Sequence, residues 1–478
     1  MSDSRPAAVI ILAAGEGTRM KSALPKVLHR VCGRSMLGHV IAAVSELDPA
    51  RLIVVAGHGR DQVAAEALKQ TPDADIVIQD PQLGTGHAVR MVIESLGVIS
   101  GTVIVTYADM PLVRTSTYQE LTDAHRAMRN AVTVLTAEGD PAGYGRIIRD
   151  KDGQFEAIVE QRDATEAQRK ITEYNSGCYA FDGDLLADAI KRLTSDNDQQ
   201  EEYLTDVVRI ARGDGHRVGT VLAADAGEVL GVNDRAQLTT ARRVLNDRIA
   251  DTLMRNGVTI IDPAATYLDV GVTIGRDTEI APGTVIEGAT VIGENVRIGP
   301  GCTLTDTVVG DGARLRHTVA DHAEIGKDVT VGPYAYLRPG TRIADGAHIG
   351  CHVELKNANV GEGAKVPHLT YVGDADIGAG SNIGAGTIFA NYDGVRKSHT
   401  TVGEHVFVGS NSVLIAPVTI EDGAYVAAGS AVSQDVPSGA LGIARGRQHN
   451  SDGWVLRNRE GTASAEAASR VVKNQEGQ

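Results

Sequence analysis

The chain has 478 residues with 46 Lys plus Arg against 61 Asp plus Glu, a formal net charge of −15 that excludes gripping nucleic-acid phosphates by bulk attraction. Its length suffices for about two to four domains with cores of their own, and 42% hydrophobic with 22% charged residues excludes the disordered and collagen-like classes. Glycine is abundant at 54 residues and aromatics make up only 4%, so small side chains and frequent tight corners are expected.

The N-terminal apolar run Ala7 to Ala14 is too short to span a bilayer, and it lacks a basic leader and a stop-transfer pattern. Cys32, Cys178, Cys302 and Cys351 lie far apart and form no C-x-x-C pair. A reducing, cytoplasmic setting without membrane attachment is expected.

Up to about Asn233, β-branched runs alternate with amphipathic stretches. The runs are AVIIL from Ala8, LIVV from Leu52, DIVIQ from Asp75, TVIVTYAD from Thr102 and AVTVL from Ala131. Helix-like segments at 36–47, 62–69 and 87–96 separate them, which predicts a Rossmann-like α/β domain with a mainly parallel sheet over residues 1–234. Ligands of such sheets collect at the carboxyl ends of strands. Over 235–256, Leu238, Leu245, Ile249 and Leu253 recur at helical spacing before Gly257, which predicts a connecting helix.

After Gly257 the period changes to six. Aliphatic residues fall at Ile274, Ile280, Ile286, Ile292, Ile298 and Leu304, again from Ile325 to Leu355, and again from Val402 to Val432. One such run of six has a chance probability of roughly one in four thousand if a quarter of residues are aliphatic, so three runs are a true repeat. It is the hexapeptide signature of a parallel β-helix, expected over residues 257–451. The repeat accounts for its own aliphatic and glycine residues as scaffold, so function must come from residues that interrupt it. Residues 452–478 turn small and polar and read as a tail with little ability to fold alone; Trp454 there either covers a ligand or caps the last coil.

The segment Leu12-Ala13-Ala14-Gly15-Glu16-Gly17-Thr18-Arg19-Met20 leaves the first strand directly. Met20 stands where both a dinucleotide fingerprint and a Walker A loop need Gly, so the glycines alone fit either a tight turn or a phosphate loop. Arg19 and Lys26 favour the second, being two cations suited to spreading charge in phosphoryl transfer. Between Leu355 and Val402 the repeat breaks, and the break holds Lys356, His368, Tyr371, Asn382, Asn391 and Tyr392, polar residues with no scaffold role. An imidazole such as that of His368 titrates near neutrality, as a general base should.

LAAGEGTRM followed by LPKVLH resembles the signature of sugar-1-phosphate nucleotidyltransferases. Gln79, QLGTGHA from Gln82, Tyr107-Ala108-Asp109, GYGRI from Gly143, EQRDA from Glu160, Asn175-Ser176-Gly177 and Gly231-Val232-Asn233 follow in order. With the hexapeptide half, nearly everything before residue 455 is similar to the bacterial bifunctional N-acetylglucosamine-1-phosphate uridyltransferase and glucosamine-1-phosphate acetyltransferase family.

The resemblance implies that Leu12, Ala13, Ala14, Gly15, Lys26, Gln79, Gly84, Thr85 and Tyr107 hold UTP, with Gly143, Glu160 and Asn175 on N-acetylglucosamine 1-phosphate. Asp109 and Asn233 would hold Mg²⁺, oxygen donors suited to a hard cation that also binds phosphates; Asp109 at a strand end also suits a helix cap. Arg19 and Lys26 would serve catalysis. In the second half Arg338, Lys356, Tyr371 and Asn382 would bind glucosamine 1-phosphate, His368 would be the base, and Ala385, Asn391, Tyr392, Ser410, Ala428 and Arg445 would hold acetyl-CoA. The family further implies a left-handed β-helix and a homotrimer, which periodicity alone does not reveal. Two departures stand out: Glu16 where many relatives carry Lys, and Ala108 where Gly is common. A single-activity nucleotidyltransferase with a structural β-helix, or a regulatory scaffold, are the rival readings.

Overall fold

The computed structural model describes residues 5–141, 143–197 and 199–476. The chain forms two compact units, Met1–His322 and Ala323–Gln478. No helix among the described residues is long and apolar enough to cross a membrane.

The first unit opens with β1 (Ala8–Ala13), α1 (Met36–Ser45), β2 (Leu52–Ala56), α2 (Arg60–Gln70), β3 (Asp75–Ile78), α3 (Thr85–Leu96) and β4 (Thr102–Tyr107). It continues with α4 (Thr115–Ala127), β5 (Val132–Glu138), β6 (Arg146–Arg149), β7 (Phe155–Val159), β8 (Glu173–Asp182), α5 (Gly183–Ile190), α6 (Thr205–Gly213), β9 (Val218–Leu222) and α7 (Arg235–Arg255). Alternate residues of β1 feed two cores. Val9, Ile11 and Ala13 pack with α1, α2 and α4, whereas Ala8, Ile10 and Leu12 pack with α3, α5 and α6. A strand apolar on both faces needs cover on both, and each fully buried Ile or Val contributes about 1.5–3 kcal/mol.

The sheet order is β9-β5-β8-β4-β1-β2-β3, with β6 paired to β8 and to β7. Strands β1 to β4 are mutually parallel, as is the β5–β9 pair, while β8 runs antiparallel to both β4 and β5. The chain steps outward from β1 to β3 and then crosses to β4 on the far side of β1. That reversal splays the loops after β1 and β4 apart and opens a crevice at their carboxyl ends.

Helix α7 starts at Asp234, whose side chain accepts from the Gln237 amide. Buried Asn246 ties it to the first coil, donating to the Thr266 carbonyl and accepting from the Leu268 amide, each at 2.9 Å. The coils of this unit stack their aliphatic residues in register, Ile280 on Ile298 and Ile286 on Leu304. Fully buried Thr284 and Thr290 fill the corners, each hydroxyl donating to a carbonyl three residues back at 2.7 Å, so neither hydroxyl is stranded inside.

In the second unit Leu337, Leu355 and Val372 stack likewise. The break expected between Leu355 and Val402 is a correction: the prism runs through it. Leu355, Val360, Val366, Val372, Ile377, Ile383 and Phe389 are all buried, at steps of five or six residues, so a six-residue count loses the register while the coils keep it. Only residues 391–398 leave the coil, as a loop closed by a Tyr392–Lys397 bridge. The tail also differs from expectation, with helices at Trp454–Asn458 and Ala463–Glu476. Its alanines bury little surface yet have the highest helix propensity.

Candidate active sites

The crevice at the ends of β1 and β4 is built by backbone. The Ala108 amide donates to the Leu12 carbonyl at 3.0 Å and the His58 amide to the Ala14 carbonyl at 3.1 Å, which fixes the loop carrying exposed Gly15. A cavity of about 800 Å³ follows, lined among others by Thr85, Tyr107, Asp109, Gly143, Glu160, Asn175 and Asn233.

One wall is an irregularity of β8. Its register with β5 shifts between Asn175 and Tyr179, a bulge that re-aims the Asn-Ser-Gly segment. Asn175 donates to the Tyr179 hydroxyl at 2.7 Å and accepts from the Gly177 amide at 3.0 Å, while the Ser176 hydroxyl donates to the Leu135 carbonyl at 2.7 Å. Gly177 has φ +88°, and a Cβ there would fall 2.6 Å from the Tyr107 ring, so only glycine fits. Burial pushes the Tyr107 phenol far above its usual value, although a hydrogen bond with Thr85 opposes this, and it stays a neutral donor. Burial also raises the Glu160 carboxyl, with the charges of Asp163 and Asp206 adding to the shift.

At the floor, two cations converge on one amide. Arg19 Nη2 and Lys26 Nζ each donate to Asn233 Oδ1 at 2.9 Å, and Lys26 pairs with Asp109. The loop bearing Asn233 is itself laid against Asp109, the Val232 amide donating to the Asp109 carbonyl at 2.9 Å, and the Gly231 amide donates to the Tyr144 hydroxyl at 3.1 Å. Among the described residues no three His, Cys, Asp or Glu side chains gather as a metal cage. A cation held by one carboxylate and one amide oxygen would draw its other ligands from phosphate and water, the habit of Mg²⁺. The donors fit that cation, since they already clasp the Lys26 ammonium.

Not every expected residue lines this cavity. Buried Gln79 donates to the Gly84 carbonyl at 2.9 Å and borders a second cavity of about 630 Å³, lined by residues 57–62 and 79–82. Leu12 and Ala13 are buried in β1 and offer only backbone.

In the second unit the expected residues fall into two columns along the coils. Leu337, Leu355 and Val372 are in register, which stacks Arg338 on Lys356 one position later and Tyr371 on Glu354 one position earlier. Arg338 Nη1 donates to Glu354 Oε1 at 2.9 Å. Lys356 Nζ lies 3.8 Å from Asp374, and Asn391 donates to the same carboxylate. Burial works against ionising Asp374, but hydrogen bonds from Asn357 and Asn391, with the ammoniums of Lys356 and Lys397, outweigh it and hold the carboxyl below its usual value.

The other column starts at exposed His368. Cys351 pairs with His368, Lys365 with Asn382, Ile383 with Val408, and Val408 with Val426. Counting along each strand sets His368, Ala385, Ser410 and Ala428 at one level in successive coils, and the Arg445 stem lies beside Gly429 at the end. His368 Nδ1 is 3.4 Å from Cys351 Sγ, and its carbonyl accepts from the Thr370 hydroxyl at 2.7 Å. Asn382 stands apart from the first column, on the strand between Lys365 and Phe407. Tyr392 is exposed in the inserted loop, its hydroxyl donating to the Gly394 carbonyl at 2.6 Å.

Sequence reasoning missed Tyr144, Glu354, Asp374 and Lys397 as members of these clusters. Tyr144 lies inside the quoted GYGRI motif, and Glu354 stands two positions before the singled-out Lys356, so a local signal was present for both. Asp374 and Lys397 carry no motif; the coil register brings the first to Lys356 and the inserted loop brings the second.

A model of the MobA-like NTP transferase domain matches residues 9–201. A model of the bacterial transferase hexapeptide, six repeats, matches residues 271–306, 322–357 and 399–434, in accord with the stacked parallel strands of a left-handed β-helix. "Bifunctional protein GlmU" of Streptomyces avermitilis is 55% identical over 100% of both chains. The protein of that name from Thermobifida fusca is 56% identical over 98% of both, and that of Mycolicibacterium vanbaalenii 55% identical over 96% of this chain and 95% of its own. A solved structure described as UDP-glucose pyrophosphorylase complexed with UDP-glucose covers 51% of this chain and 99% of its own, at 15% identity and a TM-score of 0.42, too loose a likeness to bear on fold or site.

Proposed function

The chain belongs to the family of bifunctional GlmU proteins, and from that premise we propose that it makes UDP-N-acetylglucosamine in two steps at two separate sites. The second unit transfers acetyl from acetyl-CoA to the amine of glucosamine 1-phosphate. The first unit then joins the product to UTP. One observation carries this reading: a carboxylate, an amide oxygen and two cations meet at the sheet's switch point, in a chain alike from end to end to bifunctional relatives.

In the first reaction Arg338 and Lys356 take the sugar phosphate, a forked guanidinium beside a point charge. Tyr371 and Asn382 hold the ring. His368 accepts the amine proton as nitrogen attacks the thioester carbonyl, the C–S bond breaks, and the imidazolium returns that proton to the departing sulfur so that CoA leaves as the thiol. Ala385, Asn391, Tyr392, Ser410, Ala428 and Arg445 hold acetyl-CoA along the edge, and since a convex edge encloses little, the site is completed by other copies in a homotrimer.

In the second reaction a phosphate oxygen of the sugar attacks the α-phosphorus of UTP and pyrophosphate leaves. That oxygen is already a nucleophile, so no protein base is required. Arg19 and Lys26 spread the charge that gathers on the phosphoryl oxygens, Glu160 and Asn175 orient the sugar, and Leu12 to Gly15 with Gln79, Gly84 and Thr85 seat the nucleotide. Asp109 and Asn233 would hold Mg²⁺, which when bound would supply charge neutralisation to the phosphates. Four unpaired thiols support a reducing, cytoplasmic setting.

Paired assays test the division. His368→Ala is expected to abolish CoA release while sparing pyrophosphate release, and Asp109→Ala to do the reverse. Loss of both activities from either change contradicts separate sites.

A further inference from the structure

An amide oxygen has two lone pairs. At Asn233 Oδ1 both are engaged, one by Arg19 Nη2 and one by Lys26 Nζ, each at 2.9 Å. The same ammonium forms the ion pair with Asp109 Oδ2. One internal cation thus clasps both donors assigned to Mg²⁺. Lys26 is held there rather than free to wander. Its side chain is 14% exposed, and Gly17, at φ +65°, gives it room where a Cβ would fall 2.4 Å from Lys26 Cβ. A compact ammonium between a carboxylate and an amide oxygen takes the place, and much of the charge role, of a divalent ion. Two cations cannot share that place, because at contact separation their repulsion is large in a partly desolvated site.

We propose that Lys26 and the divalent ion exclude each other between Asp109 and Asn233, so that the ion enters only as nucleotide phosphate draws the ammonium away. Lys26 then has two stations. On the oxygens it keeps both donors aligned and shuts out stray cations; on the phosphates it frees one Asn233 lone pair and one Asp109 oxygen. The triphosphate therefore precedes or accompanies the metal. Arg19 is a lesser barrier, since removing it frees one lone pair but leaves the ammonium on both donors. The exclusion presupposes the metal reading of Asp109 and Asn233.

Mn²⁺ alone, titrated into the full chain without nucleotide and followed by the electron-spin signal of the free ion, tests it. Weak binding is expected for the unaltered chain and for Lys26→Arg, which keeps the cation. Lys26→Gln, which keeps a stem against Gly17, is expected to bind at least about tenfold more tightly, and Arg19→Gln to gain less. Adding Asp109→Ala to Lys26→Gln removes the gain. Equal or weaker binding by Lys26→Gln, with further loss on adding Asp109→Ala, overturns the exclusion and leaves the metal reading standing. Binding indifferent to Asp109→Ala in both backgrounds overturns the metal reading itself. A measurement independent of the variants' folding uses the unaltered chain: saturating uridine monophosphate is expected to raise Mn²⁺ affinity several-fold, and no rise contradicts the proposal.

Discussion

In the first unit the expected sugar residues Gly143, Glu160 and Asn175 line one hollow of about 800 Å³ with Thr85, Tyr107, Asp109 and Asn233, because a doubly wound sheet opens a crevice wherever its strand order reverses. In the second unit most of the expected residues lie in columns along the coils, with His368 exposed, while Tyr392 is exposed on the inserted loop. Parallel coils in register repeat one position every turn, so they display reactive side chains in rows but cannot wrap them round a ligand. One architecture supplies enclosure from a single chain; the other supplies spacing and must take its enclosure from elsewhere.

The contrast sharpens where a single charge is removed from the half-buried column of Arg338 and Lys356. Arg338→Ala is expected to lower kcat/KM for glucosamine 1-phosphate about 10- to 150-fold, since a hydrogen bond to a charged group contributes about 1.5–3 kcal/mol. Pyrophosphate release should not change. Arg338→Lys should recover only part of the loss, lacking the fork. An Arg338→Ala chain with unaltered sugar-phosphate kinetics would remove the phosphate role of that column.

The enclosed site predicts a smaller effect of a different kind. Burial first, then Asp163 and Asp206, hold the Glu160 carboxyl above its ordinary value. For an acid raised in the folded state, ionisation costs stability. That cost is absent below the ordinary carboxylate range and fully present above the raised value. Glu160→Gln should therefore raise the Tm of the first unit slightly at pH 7, with the gain vanishing toward pH 4. It should also raise KM for the sugar phosphate in nucleotidyl transfer. Equal gains at both pH values would mean that Glu160 is not the titrating group.

Much of this was legible in the chain itself, though unevenly. Runs such as AVIIL and TVIVTYAD mark β1 and β4, because strands buried on both faces are apolar throughout, and Asp109 at the end of the second run falls at the crevice floor. The antiparallel β8 was hidden, since its apolar residues do not encode strand direction. Asn175-Ser176-Gly177 was visible as a motif, but its bulge depends on a close approach to the Tyr107 ring. The meeting of Lys26 with Asn233 spans 207 positions and has no local signature. In the β-helix the six-residue period found the prism and lost it after Leu304 and again after Leu355, where steps of five residues intervene. The tail's helices were missed because composition was weighed for burial rather than for propensity.

The proposed function places two reactions in one chain, the first unit complete in itself and the second completed by neighbouring copies of the proposed homotrimer. Both activities should be measured per chain on one sample as dilution or low urea dissociates the assembly, with sedimentation velocity reporting its size. Pyrophosphate release is expected to stay level, while CoA release falls in step with the assembled species. Full CoA release from separated single chains would contradict the claim.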